Sequence, residues 1–235
     1  MYHYGAVEAD TGEFDLDSRP AGGQISRQAK ATTGLSASRV MDVLIALAVV
    51  LFTLPLLVLI AVAIKLHDGG PALFGHTRIG RGGRNFRCLK FRSMVVDAEA
   101  RLQALLSTDP AARREWEADQ KLRDDPRITP LGAFLRKTSL DELPQVFNVL
   151  RGEMSIVGPR PIVQSEVCRY GRAFKHYCSV PPGITGLWQV SGRNDVSYRR
   201  RVALDRVYAK SKCLRTDLVI IARTVPAVLL RSGSY

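Results

Sequence analysis

An uncharged run, Val43 to Ile64, stands between Asp42 and Lys65 in a chain that elsewhere mixes apolar and charged positions. About 20 apolar residues span a bilayer as a helix, so a membrane-embedded segment is predicted within 37–66. Pro55 lacks an N–H and crowds the preceding turn. A kink is therefore expected near Phe52–Pro55, with Thr53 placed to bond a freed carbonyl. Two topologies are open: a single pass, or a helix–break–helix that returns to the face it left.

Beyond the run the pattern changes. Residues 72–94 alternate in part around Gly80-Arg81-Gly82-Gly83, which predicts a β-hairpin. Residues 95–122 carry Ala, Leu, Glu and Arg at helical spacing and predict one amphipathic helix, ended by Asp124-Asp125-Pro126. A helix is predicted over 140–151. Ser139-x-x-Glu142 matches a capping box, whereas a start at Asp141 would put Pro144 in the first turn, where it is tolerated. Val196–Leu230 reads as mainly helical with a break near Leu214. Its last stretch, Leu218 to Leu230, suits either a membrane surface or an ordinary core. Residues 1–36, rich in Gly, Ala, Ser, Thr and Asp, read as a mobile tail.

Charge narrows the choice of partners. The chain has 235 residues and a formal net charge of +12, which implies an acidic partner such as anionic lipid, a phosphorylated substrate or nucleic acid. No helix-turn-helix or RRM-type signature accompanies that charge, and the uncharged run argues against a nucleic-acid binder. The four cysteines lack C-x-x-C spacing, and no H-E-x-x-H occurs, so neither a zinc site nor a disulfide framework is signalled. Arg27, Lys30 and Arg39 precede the run and Lys65, Arg78, Arg81 and Arg84 follow it. The stronger bias lies after it and predicts a cytoplasmic domain.

The candidate chemistry lies in residues 138–161. Asp141-Glu142 opens the predicted helix, where the dipole and free N–H groups hold acids ionised. Arg160 is clamped between Pro159 and Pro161, preset to meet a phosphate. Acid pair and arginine suggest phosphoryl chemistry, and the apolar run suggests that it happens at a membrane.

From about Arg39 to Leu230 the chain resembles the bacterial sugar transferases, the monotopic polyprenyl-phosphate phosphoglycosyl transferases. The blocks that carry the resemblance are the apolar segment with Pro55, Lys90 to Met94, Asp125 to Thr129, Arg136 to Gln145, Asn148 to Ser155, Val157 to Pro161, Pro182 to Gln189, and Ser191-Gly192-Arg193. The compact size is similar to the small exopolysaccharide-initiating galactosyl- or glucosyl-1-phosphate transferases.

The resemblance implies an α+β, mainly helical protein. Its parts would be a re-entrant membrane segment over 37–66 and a cytoplasmic catalytic domain over 67–235 on the inner membrane. It implies transfer of sugar 1-phosphate from a UDP-sugar, galactose or glucose favoured, to polyprenyl (undecaprenyl) phosphate with release of UMP. Asp141 would be the nucleophile, forming an aspartyl-phosphosugar, and Glu142 would help hold Mg²⁺. By matching position, Lys90, Arg92, Arg136, Arg160 and Arg193 would bind substrate. A homodimer is left open. Thr53-Leu54 stand before Pro55 where many members place a serine directly before the proline, which leaves the bend geometry open.

Overall fold

A computed structural model describes residues 36–119, 121–192 and 196–229. The tail expected over 1–36 lies outside the described residues except for Ser36, as does Arg193.

Helix α1 runs from Ala37 to Asp68. Ser36 starts it by accepting a hydrogen bond from the Arg39 N–H, and Gly69, at φ 71°, ends it in the left-handed conformation that glycine adopts without penalty. It is long and apolar enough to cross a membrane by length and composition. The helix is continuous through Pro55. Thr53 Oγ1 donates to the Val49 carbonyl at 2.7 Å, the carbonyl one turn back, rather than to that of Leu51, which Pro55 leaves without a donor.

Burial along α1 is uneven. Asp42 and Ala46 are buried near its start, and Leu57, Ile60 and Ile64 near its end. No residue from Leu47 to Leu56 is buried, and Phe52 is 88% exposed.

The predicted hairpin forms from β1 (Leu73–Ile79) and β2 (Asn85–Phe91), antiparallel, with His76 opposite Cys88. Side chains alternate across a sheet, so Phe74, His76 and Arg78 share a face with Phe86, Cys88 and Lys90. The expected single helix over 95–122 is two, α2 (Ala98–Thr108) and α3 (Pro110–Asp119). Asp109 divides them because its Oδ1 accepts from the Ala111 and Ala112 N–H groups, while Pro110 cannot continue α2's hydrogen bonding.

Helix α4 (Pro130–Thr138) is capped at its start by Thr129 and closed by Ser139 at φ 59°. A 3-10 turn, Leu140–Glu142, leads to α5 (Gln145–Arg151). The capping box does not form, because Ser139 closes α4 with a left-handed backbone and its side chain caps nothing. Pro144 stands just before α5, where its missing N–H costs nothing.

Strand β3 (Ser155–Val157) pairs in parallel with β4 (Gly183–Thr185), with the short helices α6 (Val167–Tyr170) and α7 (Phe174–Tyr177) between them in sequence. Helices α8 (Tyr198–Ser211) and α9 (Leu214–Leu229) follow, broken where predicted. On α9, Ile220 is buried with Val157, Val180 and Tyr208, while Leu218, Val219 and Val225 are exposed. The described chain is thus mainly helical with few strands.

Both ends of α1 are fastened to this domain. Arg39 donates to the carbonyls of Val149 and Leu150 at 2.6 and 2.9 Å, a cation satisfying the C-terminus of α5. Buried Asp42 accepts from the Ser155 hydroxyl and the Ile156 N–H, and Ser38 donates to Asp217. At the far end Asp68 is held by the guanidinium of Arg92, and Ile60 and Ile64 pack with Phe91 and Leu135.

Candidate active site

The residues between α4 and α5 make a sharp reversal. Ser139 turns the chain in the left-handed region, and the 3-10 turn that follows directs Asp141 inward and leaves Glu142 half-exposed. Asn148, fully buried one turn into α5, ties this segment to the hairpin. Its Oδ1 accepts from the Leu89 N–H at 2.9 Å, and its Nδ2 donates to the Arg87 carbonyl at 2.8 Å and to Glu153. The side chain thereby docks on the free edge of β2 as a neighbouring strand would. Lys90, one residue beyond Leu89, is fixed against the acid pair as a result.

Lys90 Nζ lies 2.6 Å from Glu142 Oε1 and 3.7 Å from Asp141 Oδ2. Burial pushes the Asp141 carboxyl above its usual range; Lys90 opposes the rise, Glu142 adds to it and Arg136 opposes it.

Glu142 opens onto a small solvent-connected cleft, lined also by Arg78, Cys88, Lys90, Gln145, Arg160 and Gln189 among others. Arg160 is aimed by a tight crossing of two chain segments. The Gly183 N–H donates to the Pro159 carbonyl and the Gly158 N–H to that of Thr185, both at 2.8 Å. A Cβ on Gly158 would stand 2.5 Å from the Pro181 carbonyl oxygen, so only glycine lets the segments meet this closely.

Of the residues selected from sequence, Glu142, Lys90 and Arg160 are thus brought around one cleft, with Asp141 buried 3.7 Å from Lys90. Arg136 does not line it; it donates from Nε to the Ser93 hydroxyl at 2.8 Å and acts on Asp141 through its charge. Arg92 is placed elsewhere. It is bound bidentately by Asp68 and donates to the Pro71 carbonyl, serving as a strap on the end of α1. Arg193 is outside the described residues.

Two contributors were missed. Asn148 looks like an ordinary helix residue, and nothing local marks it. Arg78 had a legible signal: it is two residues from His76 on a strand whose partner presents Lys90, and alternation puts both cations on one face.

The chemistry of this donor set suits a hard divalent cation. Glu142 faces a cationic cleft with Asp141 adjacent to it in the chain, and Mg²⁺ takes one or two carboxylates plus substrate phosphates. Lys90 occupies one oxygen of Glu142, leaving its second oxygen without a hydrogen bond among the described residues.

Comparison with known proteins agrees with this architecture. Residues 33–231 match the family described as bacterial sugar transferase, and the chain belongs to that family. It is 51% identical over 197 residues to the exopolysaccharide production protein ExoY of Sinorhizobium fredii, covering 84% of this chain and 87% of that one. It is 52% identical over 197 residues to a UDP-galactose-lipid carrier transferase of Erwinia amylovora. With an undecaprenyl-phosphate galactose phosphotransferase of Salmonella typhimurium the identity is 51% over the same length. In each of these two cases 84% of this chain is covered but only 41% of the relative, so the chain spans about two fifths of those proteins.

Proposed function

We propose that this protein transfers a sugar 1-phosphate from a UDP-sugar to polyprenyl phosphate, starting an exopolysaccharide or other surface glycan at the cytoplasmic face of the inner membrane. The observation that carries the reading is the placement of Asp141: a buried carboxylate beside Lys90 and Glu142, which line one cleft together with Arg78 and Arg160. Relatives named for undecaprenyl-phosphate galactose transfer and for lipid-carrier transfer of UDP-galactose support the donor and acceptor classes.

The step has two halves. An Asp141 carboxylate oxygen attacks the phosphorus that bears the sugar, and the bond from that phosphorus to the bridging oxygen breaks, releasing UMP. An oxygen of polyprenyl phosphate then attacks the same phosphorus and returns Asp141 as a free carboxylate. Lys90 favours the ionised form of Asp141 against its burial and faces the charge gathering on the phosphoryl oxygens. Arg160 holds the donor diphosphate, and Arg136 adds positive potential at Asp141. Glu142, with Asp141 adjacent, would hold Mg²⁺, which supplies charge neutralisation to the phosphates.

The apolar segment is read as re-entrant. Supporting this, both ends of α1 are fastened to one domain while Leu47–Leu56 stay unburied. Ala46 shares a cluster with Cys88, and Ile60 shares one with Phe91. Those strand residues are about 10 Å apart, whereas Ala46 and Ile60 on an unbent helix would be about 21 Å apart. Labelling of a cysteine ahead of Arg39 by a periplasmic reagent would sink this topology.

The test of function is UMP release by wild type and Asp141→Asn with polyprenyl phosphate, Mg²⁺ and UDP-galactose or UDP-glucose. Turnover in wild type, lost in the variant and in EDTA, supports the reading. Turnover that survives in Asp141→Asn removes Asp141 as nucleophile. No turnover by folded wild type favours a non-enzymatic membrane scaffold.

A further inference from the structure

We infer that Arg78 is a second substrate-binding cation, which together with Arg160 clamps the phosphate that departs with the nucleoside monophosphate. Lys90 then serves the phosphate that Asp141 attacks. The inference rests on the nucleotide-sugar reading and deepens it.

The case begins with what Arg78 lacks. Its side chain is 18% exposed, and such a cation is normally closely paired. Two other arginines show such pairing, whereas Arg201, whose Nε and Nη2 are buried without a hydrogen bond among the described residues, lies over the rings of Trp188 and Tyr198. Arg127 is held by both oxygens of Asp125 at 2.8 and 2.7 Å, and Arg92 is held bidentately by Asp68. Among the described residues Arg78 has only a 3.3 Å hydrogen bond to the Pro161 carbonyl and a distant ion pair, 3.7 Å, with Glu166 Oε2. That carboxylate is already engaged, Oε2 by the Val163 N–H at 3.0 Å and Oε1 by the Tyr198 hydroxyl.

A second guanidinium makes the deficit larger. Burial first, and then the charge of Arg160, make the protonated form of Arg78 harder to keep. Two like charges converging on one cleft repel each other until an anion enters between them. A phosphate accepts from two such forks at once, which a single carboxylate at Glu166 does not do.

Position decides which phosphate. Arg78 and Lys90 lie on the same face of the hairpin with His76 and Cys88 between them. Lys90 is committed to the acid pair at 2.6 and 3.7 Å. The Arg78–Arg160 end is therefore the end away from the nucleophile, where the leaving phosphate and its nucleoside must lie. Pro161, whose carbonyl holds Arg78, adjoins Arg160, so the same rigid turn sets both guanidiniums.

The test is direct binding of UMP, UDP and uridine to the full chain in detergent, by calorimetry, for wild type, Arg78→Gln and Arg78→Lys. Wild type is expected to prefer UMP over uridine, and Arg78→Gln to lose about tenfold in UMP affinity with uridine unchanged, as expected for loss of one charge-assisted fork. Arg78→Lys keeps the charge without the fork and is expected to lose about threefold; it carries the test if Arg78→Gln does not melt cooperatively. Wild-type UMP affinity in both variants would overturn the inference while leaving the function intact. Failure of folded wild type to bind any of the three would instead strike the nucleotide-sugar reading itself.

Discussion

Lys90 touches Glu142 at 2.6 Å yet stops 3.7 Å short of Asp141. The ammonium thus neutralises the exposed acid by contact and the buried one through space. In the proposed reaction a cation bonded tightly to Asp141 would blunt it as a nucleophile, whereas one held off by a neighbour lowers the cost of ionisation and would leave the oxygen free to attack.

Replacing Lys90 with Met should therefore move the pH dependence as well as the rate. Burial and Glu142 raise the Asp141 carboxyl, and Lys90 is the largest opposing influence. Without it the carboxyl rises further, so the acid limb of the kcat/KM profile shifts to higher pH. An unmoved acid limb in a folded Lys90→Met protein would sever the link between the two residues.

Ser139 is the sole non-glycine residue with positive φ among the described residues, at 59°, immediately before the acid pair. A left-handed backbone costs an L-residue about 1–2 kcal/mol. Ser139→Gly is expected to raise stability by about 1 kcal/mol with activity retained, and Ser139→Val to lower it by at least as much. Denaturant melts of the two variants decide the matter.

Asn148→Leu keeps the volume but strands the Leu89 N–H and Arg87 carbonyl on the free edge of β2. Each orphaned group costs about 1–3 kcal/mol. The variant should melt earlier, and the activity of its folded fraction should fall too, because Lys90 loses its registration with Asp141. Lost stability with full specific activity would limit Asn148 to a purely structural role.

Asp205 gives the fold a pH dependence away from the cleft. It is buried and accepts from the Tyr170 hydroxyl at 2.8 Å, and burial pushes its carboxyl up to about 7 from 3.8. The folded state therefore holds the proton more tightly than the unfolded chain. Its contribution is complete below the unfolded value and is lost as pH rises through about 7, up to about 4 kcal/mol in all. Asp205→Asn should flatten stability against pH across that window, and parallel curves for the two proteins would refute the assignment.

Periodicity and turn chemistry made much of the framework readable. The apolar run, the Gly-rich hairpin and the break at Leu214 are local patterns, and local rules set them. The division at Asp109-Pro110 was also written locally, but helical composition on both sides masked it. Ser139 misled because a capping box and a left-handed closure use the same residue type, and the preceding α4 decides between them. Arg92 and Arg78 show the larger limit. Both are basic residues of the same hairpin region, yet Asp68 claims one while the cleft receives the other. Which carboxylate an arginine meets depends on how distant segments pack, and spacing along the chain does not encode that.

Arg39 and Asp42 at one end of α1, and Ile64 and Asp68 at the other, leave no seam along which anchor and domain could be cut apart. A fragment beginning after the helix would bare Phe91 and Leu135 and orphan the carbonyls that close α5. A bilayer around the unburied stretch Leu47–Leu56 would accordingly be a further wall of the fold. Heat resistance measured in one lipid or detergent would then be a property of the pair, and solubilisation a change in the protein's own walls.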